Sequence, residues 1–306
     1  VIARLSVAGY RSVRDLTLPL GPLTVLTGPN GCGKSNLYQA LYLLHAAADG
    51  SLARTLAHEG GMASALWAGP RRAGPVRLQL SVALRDADGR RVSLPLSLNR
   101  SESVLTQIAD PERYPYLVAL RETLRRWRFY HAFRTDPDAS PRQPQIGTFT
   151  PALAHDGRDL AAALATILEI GEAERLHTAI AEGLDSARLS IDNQSGRFSV
   201  MLQTSGRRRP LAAAELSDGT LRYLCLVAAL LSPRLPPLLA LNEPETSLHP
   251  DLIPALARLI VDVSARAQLW IATHSRPLTV EIGRLSGVAP IVLQRHEGAT
   301  GIASGL

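Results

Sequence analysis

The sequence has almost no lysine. Of 33 lysines and arginines in 306 residues, one, Lys34, is lysine. The rest are arginine, and with the abundance of Ala, Leu, Gly and Pro this reads as codon drift in a GC-rich genome. A lysine that survives such drift marks a position that arginine does not fill. Cysteine is nearly absent too. Cys32 and Cys225 stand alone, which excludes a disulfide framework and suits a reduced, cytoplasmic setting. Aromatics make up 5% of the chain, so the core must be built from Leu, Val, Ile and Ala. No apolar run approaches the ~20 residues of a membrane-spanning helix, so no membrane association is expected. No heptad run is long enough for a coiled-coil arm, and there is no internal repeat. The opening residues Val1–Arg4 lack the basic-then-apolar order of a secretory signal.

What is present fits a globular protein: 46% hydrophobic and 20% charged residues. The net charge of +6 permits a nucleic-acid or acidic partner without requiring one. Hydrophobic patterning predicts short strands at Ile2–Val7, Leu16–Leu20 and Leu23–Leu26, then a Gly-rich loop and a helix over Ser35–Ala47. From about residue 61 to 204 the texture changes. Val76–Leu84 and Arg91–Leu98 flank Asp86–Gly89 as a hairpin would. A helix is expected over Tyr116–Trp127, a polar exposed loop over Arg134–Gly147, two helices over Arg158–Glu169 and Glu172–Gly183, and strands at Arg188–Asp192 and Arg197–Gln203. An α/β pattern resumes after Pro210. It has a helix at Leu221–Leu231, a doubly buried strand at Leu238–Leu241, a helix at Leu252–Val263 and buried strands at Leu269–Thr273 and Ile291–Leu293.

Three groups of residues carry chemistry. Gly28-Pro29-Asn30-Gly31-Cys32-Gly33-Lys34-Ser35 fits G-x-x-x-x-G-K-S between a hydrophobic strand and a helix that continues through Asn36. Glycines let such a loop curl so that its N–H groups face phosphate oxygens, and the helix N-terminus adds positive potential. In this pattern Lys34 reaches the β- and γ-phosphates of ATP and the Ser35 hydroxyl ligates Mg²⁺. Second, the buried run Leu238–Leu241 leads into Asn242-Glu243, which reads as a strand delivering a general base, Glu243, to water. Asn242 stands where most enzymes of this kind place the Asp that holds Mg²⁺. It offers an oxygen but no charge, so hydrolysis is expected to be slow. Third, Leu216-Ser217-Asp218-Gly219-Thr220 opens a helix, where Ser217 and the Gly219 N–H suit either a helix cap or a γ-phosphate.

In order along the chain these groups, with Glu245–Pro250 and then His274, resemble the Walker A, signature, Walker B, D-loop and switch histidine of ABC-class ATPase heads of the SMC and RecF group. The chain looks most like small bacterial ATPases carried under the AAA label. Asp218 and Thr220 depart from the LSGGQ signature. Asp156-Gly157-Arg158-Asp159-Leu160 is similar to a segment of RecF-like lobes, and Gln143 and Gln145 are both candidates for the Q-loop residue. The resemblance implies an α/β P-loop NTPase with an ABC-type head, its nucleotide-binding core split over residues 1–60 and 205–306 around an inserted α+β lobe at 61–204. It implies a homodimer formed on ATP binding, in which Ser217, Asp218 and Gly219 of one subunit meet the nucleotide held by the other, with Glu243 and His274 in catalysis.

Two functions follow. One is an ATP-hydrolysing head acting on nucleic acid in repair or defence. The other is a slow ATP switch that controls an unidentified protein partner. An ABC transporter subunit is disfavoured by the altered signature and the long stretch before it. Arg121, Arg125 and Arg128 fall on one helical face opposite Leu117, Leu120, Leu124 and Trp127, and Arg71-Arg72 and Arg207–Arg209 add charge. Such a stripe suits either DNA or RNA phosphates or plain solvent. No second lysine exists to replace Lys34, so Lys34→Ala is expected to abolish ATP binding. Titration with a fluorescent nucleotide checks this, and tight binding by the variant would refute the phosphate-loop reading.

Overall fold

The structure, a computed structural model of the chain, describes residues 2–70, 78–84, 103–107 and 110–303. Most of the expected hairpin over Val76–Leu98 and the pair Arg71-Arg72 lie outside the described residues. The chain forms two compact units, residues 1–127 with 291–306 and residues 128–290.

In the first unit, β1 (Ile2–Tyr10) and β2 (Val13–Pro19) pair antiparallel, with Leu5 opposite Leu18 and Val7 opposite Leu16. Their alternation buries one face and leaves Arg14, Asp15, Thr17 and Pro19 outside. Next come β3 (Leu23–Thr27), α1 (Lys34–Asp49), α2 (Leu52–His58), α3 (Met62–Ala65), β4 (Gln79–Leu84), α4 (Val104–Gln107) and α5 (Pro115–Arg125). β4 adds to the free side of β1. Helix α1 buries Leu37, Leu41 and His45, which recur every four residues. It ends at Gly50, whose left-handed backbone no β-carbon opposes. Against it lies α5, where the His45 imidazole meets the Leu124 carbonyl at 2.8 Å.

In the second unit the elements are β5 (Arg128–Tyr130), β6 (Gln145–Ile146), α6 (Leu160–Ile170), α7 (Ala173–Gly183), β7 (Arg188–Gln194), β8 (Arg197–Gln203), β9 (Leu211–Ala212), α8 (Asp218–Leu230), β10 (Leu238–Asn242), α9 (Ile253–Ser264), β11 (Gln268–Ala272) and α10 (Arg276–Ser286). β5, β10 and β11 run parallel with β10 between the others. Every residue of β10 and β11 is buried, as strands covered on both faces must be. Helix α8 is buried from Leu221 through Leu230, a stretch that is apolar apart from Arg222. β6, β8, β7 and β9 make a separate antiparallel sheet that α6 and α7 accompany, an α+β layer within this unit. The chain then returns to the first unit, where β12 (Ile291–His296) runs parallel to β3 and β13 (Ala299–Ile302) turns back on β12.

The arginine stripe does not survive folding. Helix α5 ends at Arg125 and Arg128 opens β5, so the three arginines share no helical face. Arg121 and Arg125 flank Glu122 at 3.3 and 3.4 Å. Leu124 and Trp127 are buried as expected. Helix α10, unforeseen in the sequence, is set by a Ser275 cap, Pro277 in its first turn and Gly287 at its end.

Candidate functional site

The phosphate-loop candidates stand in the first unit. Buried β3 ends in Gly28, and the loop runs to Gly33 at the foot of α1. Gly28, Gly31 and Gly33 all have positive φ, at 149°, 76° and 108°. A β-carbon on Gly28 would overlap the Leu293 carbonyl oxygen, and one on Gly33 would overlap the Thr300 side chain. Both glycines are therefore demanded by β12 and β13 as well as by the turn. Lys34 is 5% exposed, and its ammonium donates to the Gly28 carbonyl at 2.6 Å and the Pro29 carbonyl at 3.2 Å. The cation thus sits in the hollow of its own loop. Cys32 is buried beneath it. Pro29, Asn30, Gly31 and Ser35 face solvent. Asn36 looks elsewhere: its amide donates to Ser12 Oγ at 2.7 Å, which in turn meets Thr300 Oγ1 at 2.7 Å. Ser12, Asn36 and Thr300 therefore brace the loop from behind, and the wide separation of the three in sequence hides this.

The second unit holds the other candidates. Glu243 follows β10 with φ of 48°, a left-handed backbone that a side-chain-bearing residue seldom adopts. Three bonds fix it there. Its N–H donates to the Ala272 carbonyl at 2.7 Å, and its carbonyl accepts from Thr246 N–H at 3.1 Å and Arg222 Nη2 at 3.2 Å. Burial pushes the Arg222 guanidinium pKa down, opposed by the nearby Cys225, Glu245 and Glu243. The Glu243 carboxylate lies 3.3 Å from His274 Nδ1, and the same nitrogen is 3.3 Å from Glu245 Oε1. The structure thus brings Glu243 and His274 together, with Glu245 as a buried third member. Glu245 Oε1 also accepts from Thr273 Oγ1 at 2.6 Å and from the N–H groups of His274 and Ser275 at 3.1 Å each. The sequence places Glu245 only at the start of the D-loop stretch Glu245–Pro250; its contacts with Thr273, His274 and Ser275 come from the fold.

Asn242 is 3% exposed. Its amide nitrogen donates to His131 Nδ1 at 2.8 Å, and its side-chain oxygen is buried with no hydrogen-bond partner. His131, just beyond β5, gave no sequence signal, since parallel pairing of β5 with β10 brings it there. A hard cation takes neutral oxygens of this kind. The uncommitted Asn242 oxygen is of that kind, and in the first unit the Ser35 hydroxyl is exposed.

Ser217 caps α8, accepting from Thr220 N–H at 3.2 Å. Asp218 is the first helical residue, and both it and Ser217 are exposed. A β-carbon on Gly219 would come within 2.6 Å of the Ser247 carbonyl oxygen, so glycine is required where the signature turn meets the segment after β10. Signature residues 217–220, residues 247–252 and residues 182–185 line an open cavity of about 1000 Å³. The two Q-loop candidates differ. Gln145 donates to the Ser140 carbonyl and accepts from Ala161 N–H, so both ends of its amide serve the lobe, whereas Gln143 is exposed. In the Asp156–Leu160 segment, Asp159 accepts from Ala154 N–H at 2.9 Å and so shapes the turn into α6.

A family model described as "AAA domain, putative AbiEii toxin, Type IV TA system" matches residues 23–281. A stretch of 44 residues is 46% identical to the OLD nuclease of Thermus scotoductus. It covers 14% of this chain and 8% of the nuclease, so the match spans a small part of that relative. Among solved structures, an SMC head bound to the C-terminal winged-helix domain of ScpA superposes with a TM-score of 0.61 at 16% identity, over 99% of this chain and 96% of the other. The SMC head domain from Thermotoga maritima gives 0.56 at 15%, over 100% and 99%. An SMC head with an extended coiled coil from Pyrococcus furiosus, bound to the C-terminal domain of ScpA, gives 0.58 at 13%, over 99% and 95%. Identities this low speak for the fold.

The Glu245 contacts make it a structural anchor. Glu245→Ala is expected to cost about 2–3 kcal/mol of unfolding free energy, because three donors to a charged acceptor lose it at once, while Glu245→Gln keeps an oxygen and costs less. Urea unfolding of both variants checks this, and an unchanged midpoint for Glu245→Ala would rule the anchor out.

Proposed function

The chain belongs to the AAA-domain family whose model spans residues 23–281, ATPases with the α/β P-loop fold of ABC-type SMC heads, and on that premise we propose that it hydrolyses ATP with Mg²⁺ as a head-to-tail homodimer. The proposed nucleotide-binding core takes residues 1–60 and 205–306, drawn from both compact units, with 61–204 as the inserted lobe, a division that differs from the breaks at 127/128 and 290/291. One observation carries the catalytic part: Glu243, held with left-handed backbone at the end of a parallel strand, has its carboxylate within 3.3 Å of His274. A carboxylate there can take a proton from water, and an adjacent imidazole can orient it and sense the γ-phosphate. Gly28 through Asn36 form the phosphate-binding set, in which Lys34 would leave the Gly28 and Pro29 carbonyls for phosphate oxygens. Ser35 of the first unit and Asn242 of the second would each offer an oxygen to Mg²⁺, and the metal would neutralise phosphate charge. Ser217, Asp218 and Gly219 face the nucleotide of the partner subunit. The substrate on which this cycle acts is nucleic acid, a reading that the short likeness to a nuclease and the basic net charge support.

A second reading, the slow ATP switch acting on a protein partner, is favoured by Asn242, whose neutral buried oxygen replaces a carboxylate. Turnover measured with and without duplex DNA separates the two.

Glu243→Gln removes the base and keeps its shape, so ATP binding should persist, turnover should fall and an ATP-bound dimer should accumulate. Size-exclusion chromatography with ATP and Mg²⁺ reads this directly, and a purely monomeric profile contradicts the sandwich. Asn242→Asp is expected to raise the Mg²⁺-dependent rate. A tenfold rise needs only ~1.4 kcal/mol of transition-state stabilisation. The opposing effect is repulsion between the new carboxylate and that of Glu243, which disfavours two negative charges at one site. An equal or lower rate at every Mg²⁺ concentration means that Asn242 is no brake.

A further inference from the structure

The signature of this chain contains a charge that its proposed task disfavours. Asp218 is the first residue of α8, 62% exposed, beside the Ser217 cap. Its carboxylate suits the positive end of the helix. It equally opposes any anion brought to that end, and a triphosphate is strongly anionic.

The polar loop 134–147 supplies the answer. Its middle folds into a 3₁₀ turn, Ser140–Arg142, anchored by buried Ala139 and Pro141. The Arg142 side chain is 9% exposed and makes five hydrogen bonds. Nε donates to the Thr135 carbonyl at 2.8 Å. Nη1 donates to the carbonyls of Ala213, Ala214 and Leu216 at 3.3, 3.2 and 2.7 Å. Nη2 meets Asp218 Oδ1 at 2.6 Å. One guanidinium thus gathers the carbonyls leading into the signature and pairs its carboxylate. A planar fork of five donors can do this, and an ammonium cannot.

We propose that Arg142 is a positioning residue of the signature, which neutralises Asp218 and fixes the turn so that Ser217 and the Gly219 N–H can receive an anionic phosphate from a second copy of the chain. This rests on the sandwich reading. Neutralisation explains how Asp can replace the first glycine of the signature: the pair presents a dipole to the incoming nucleotide in place of a net negative charge. The exposed side of Asp218 faces the cavity that residues 247–252 also line, while Arg142 grips it from the protein side.

The test is a mutant cycle in the Glu243→Gln background, read as the ATP-dependent dimer dissociation constant by analytical ultracentrifugation, with monomer ATP affinity measured on the same samples. Arg142→Gln should weaken the dimer at least about tenfold, since like charges then meet across the interface, and leave monomer ATP affinity unchanged. Adding Asp218→Asn to Arg142→Gln should recover most of the loss, and Arg142→Lys should fall between. Thermal melts report whether each variant is folded. An Arg142→Gln dimer as tight as its parent overturns the proposal. So does a double variant no tighter than Arg142→Gln, which would reduce Arg142 to a scaffold for carbonyls. If the Glu243→Gln parent itself forms no ATP-dependent dimer, the sandwich reading falls, and this inference falls with it.

Discussion

The second unit is organised around one buried carboxylate. Glu245 is almost wholly removed from water, and its Oε1 receives the Thr273 hydroxyl and two consecutive backbone N–H groups. Those donors belong to the segment between β11 and α10, whereas Glu245 belongs to the turn after β10. A buried charge is tolerable only when it is hydrogen-bonded, so this requirement locks two loops at the same end of neighbouring parallel strands. His274 is held by that lock, and through it stands beside Glu243. The unusual backbone of Glu243 belongs to the same arrangement. Its strain is offset by hydrogen bonds from both of its peptide groups.

The phosphate loop of the first unit depends on a comparable constraint expressed through space. Gly28 and Gly33 are pressed by the Leu293 carbonyl and by Thr300. The strands that press them come from the end of the chain. They also carry Thr300, which with Ser12 braces Asn36. Rigid backing of this kind matters for anion binding, because N–H groups that already point inward need no reorganisation when charge arrives.

Among the described arginines, two kinds stand at the ends of a range of burial. Arg207 and Arg208 are solvated, and Arg209 pairs with Glu215 at the surface, where such pairs contribute little. The Arg142 and Arg222 side chains are largely buried, each committed to backbone carbonyls of a turn in the candidate site. In a chain that uses arginine for nearly every positive charge, composition cannot distinguish the two kinds, and only their surroundings do.

Much was determined by the sequence alone. The glycine spacing before Lys34, the apolar run before Asn242-Glu243 and the helix opened by Ser217 depend on local rules, since loop curvature, strand burial and helix capping are properties of a few neighbouring residues. The main helices and strands likewise followed from periodicity, with ends displaced by one to a few residues. Tertiary structure decided the rest. Arg128 left its helical face because the chain enters β5 there, where it pairs with β10. His131 meets Asn242, Arg142 meets Asp218 and Thr300 meets Ser12 across separations of 111, 76 and 288 residues. No local pattern encodes such contacts, because each arises only when hydrophobic burial has stacked the strands and brought their ends together. The candidate site residues are therefore legible in one dimension, while the partners that orient them are fixed by packing.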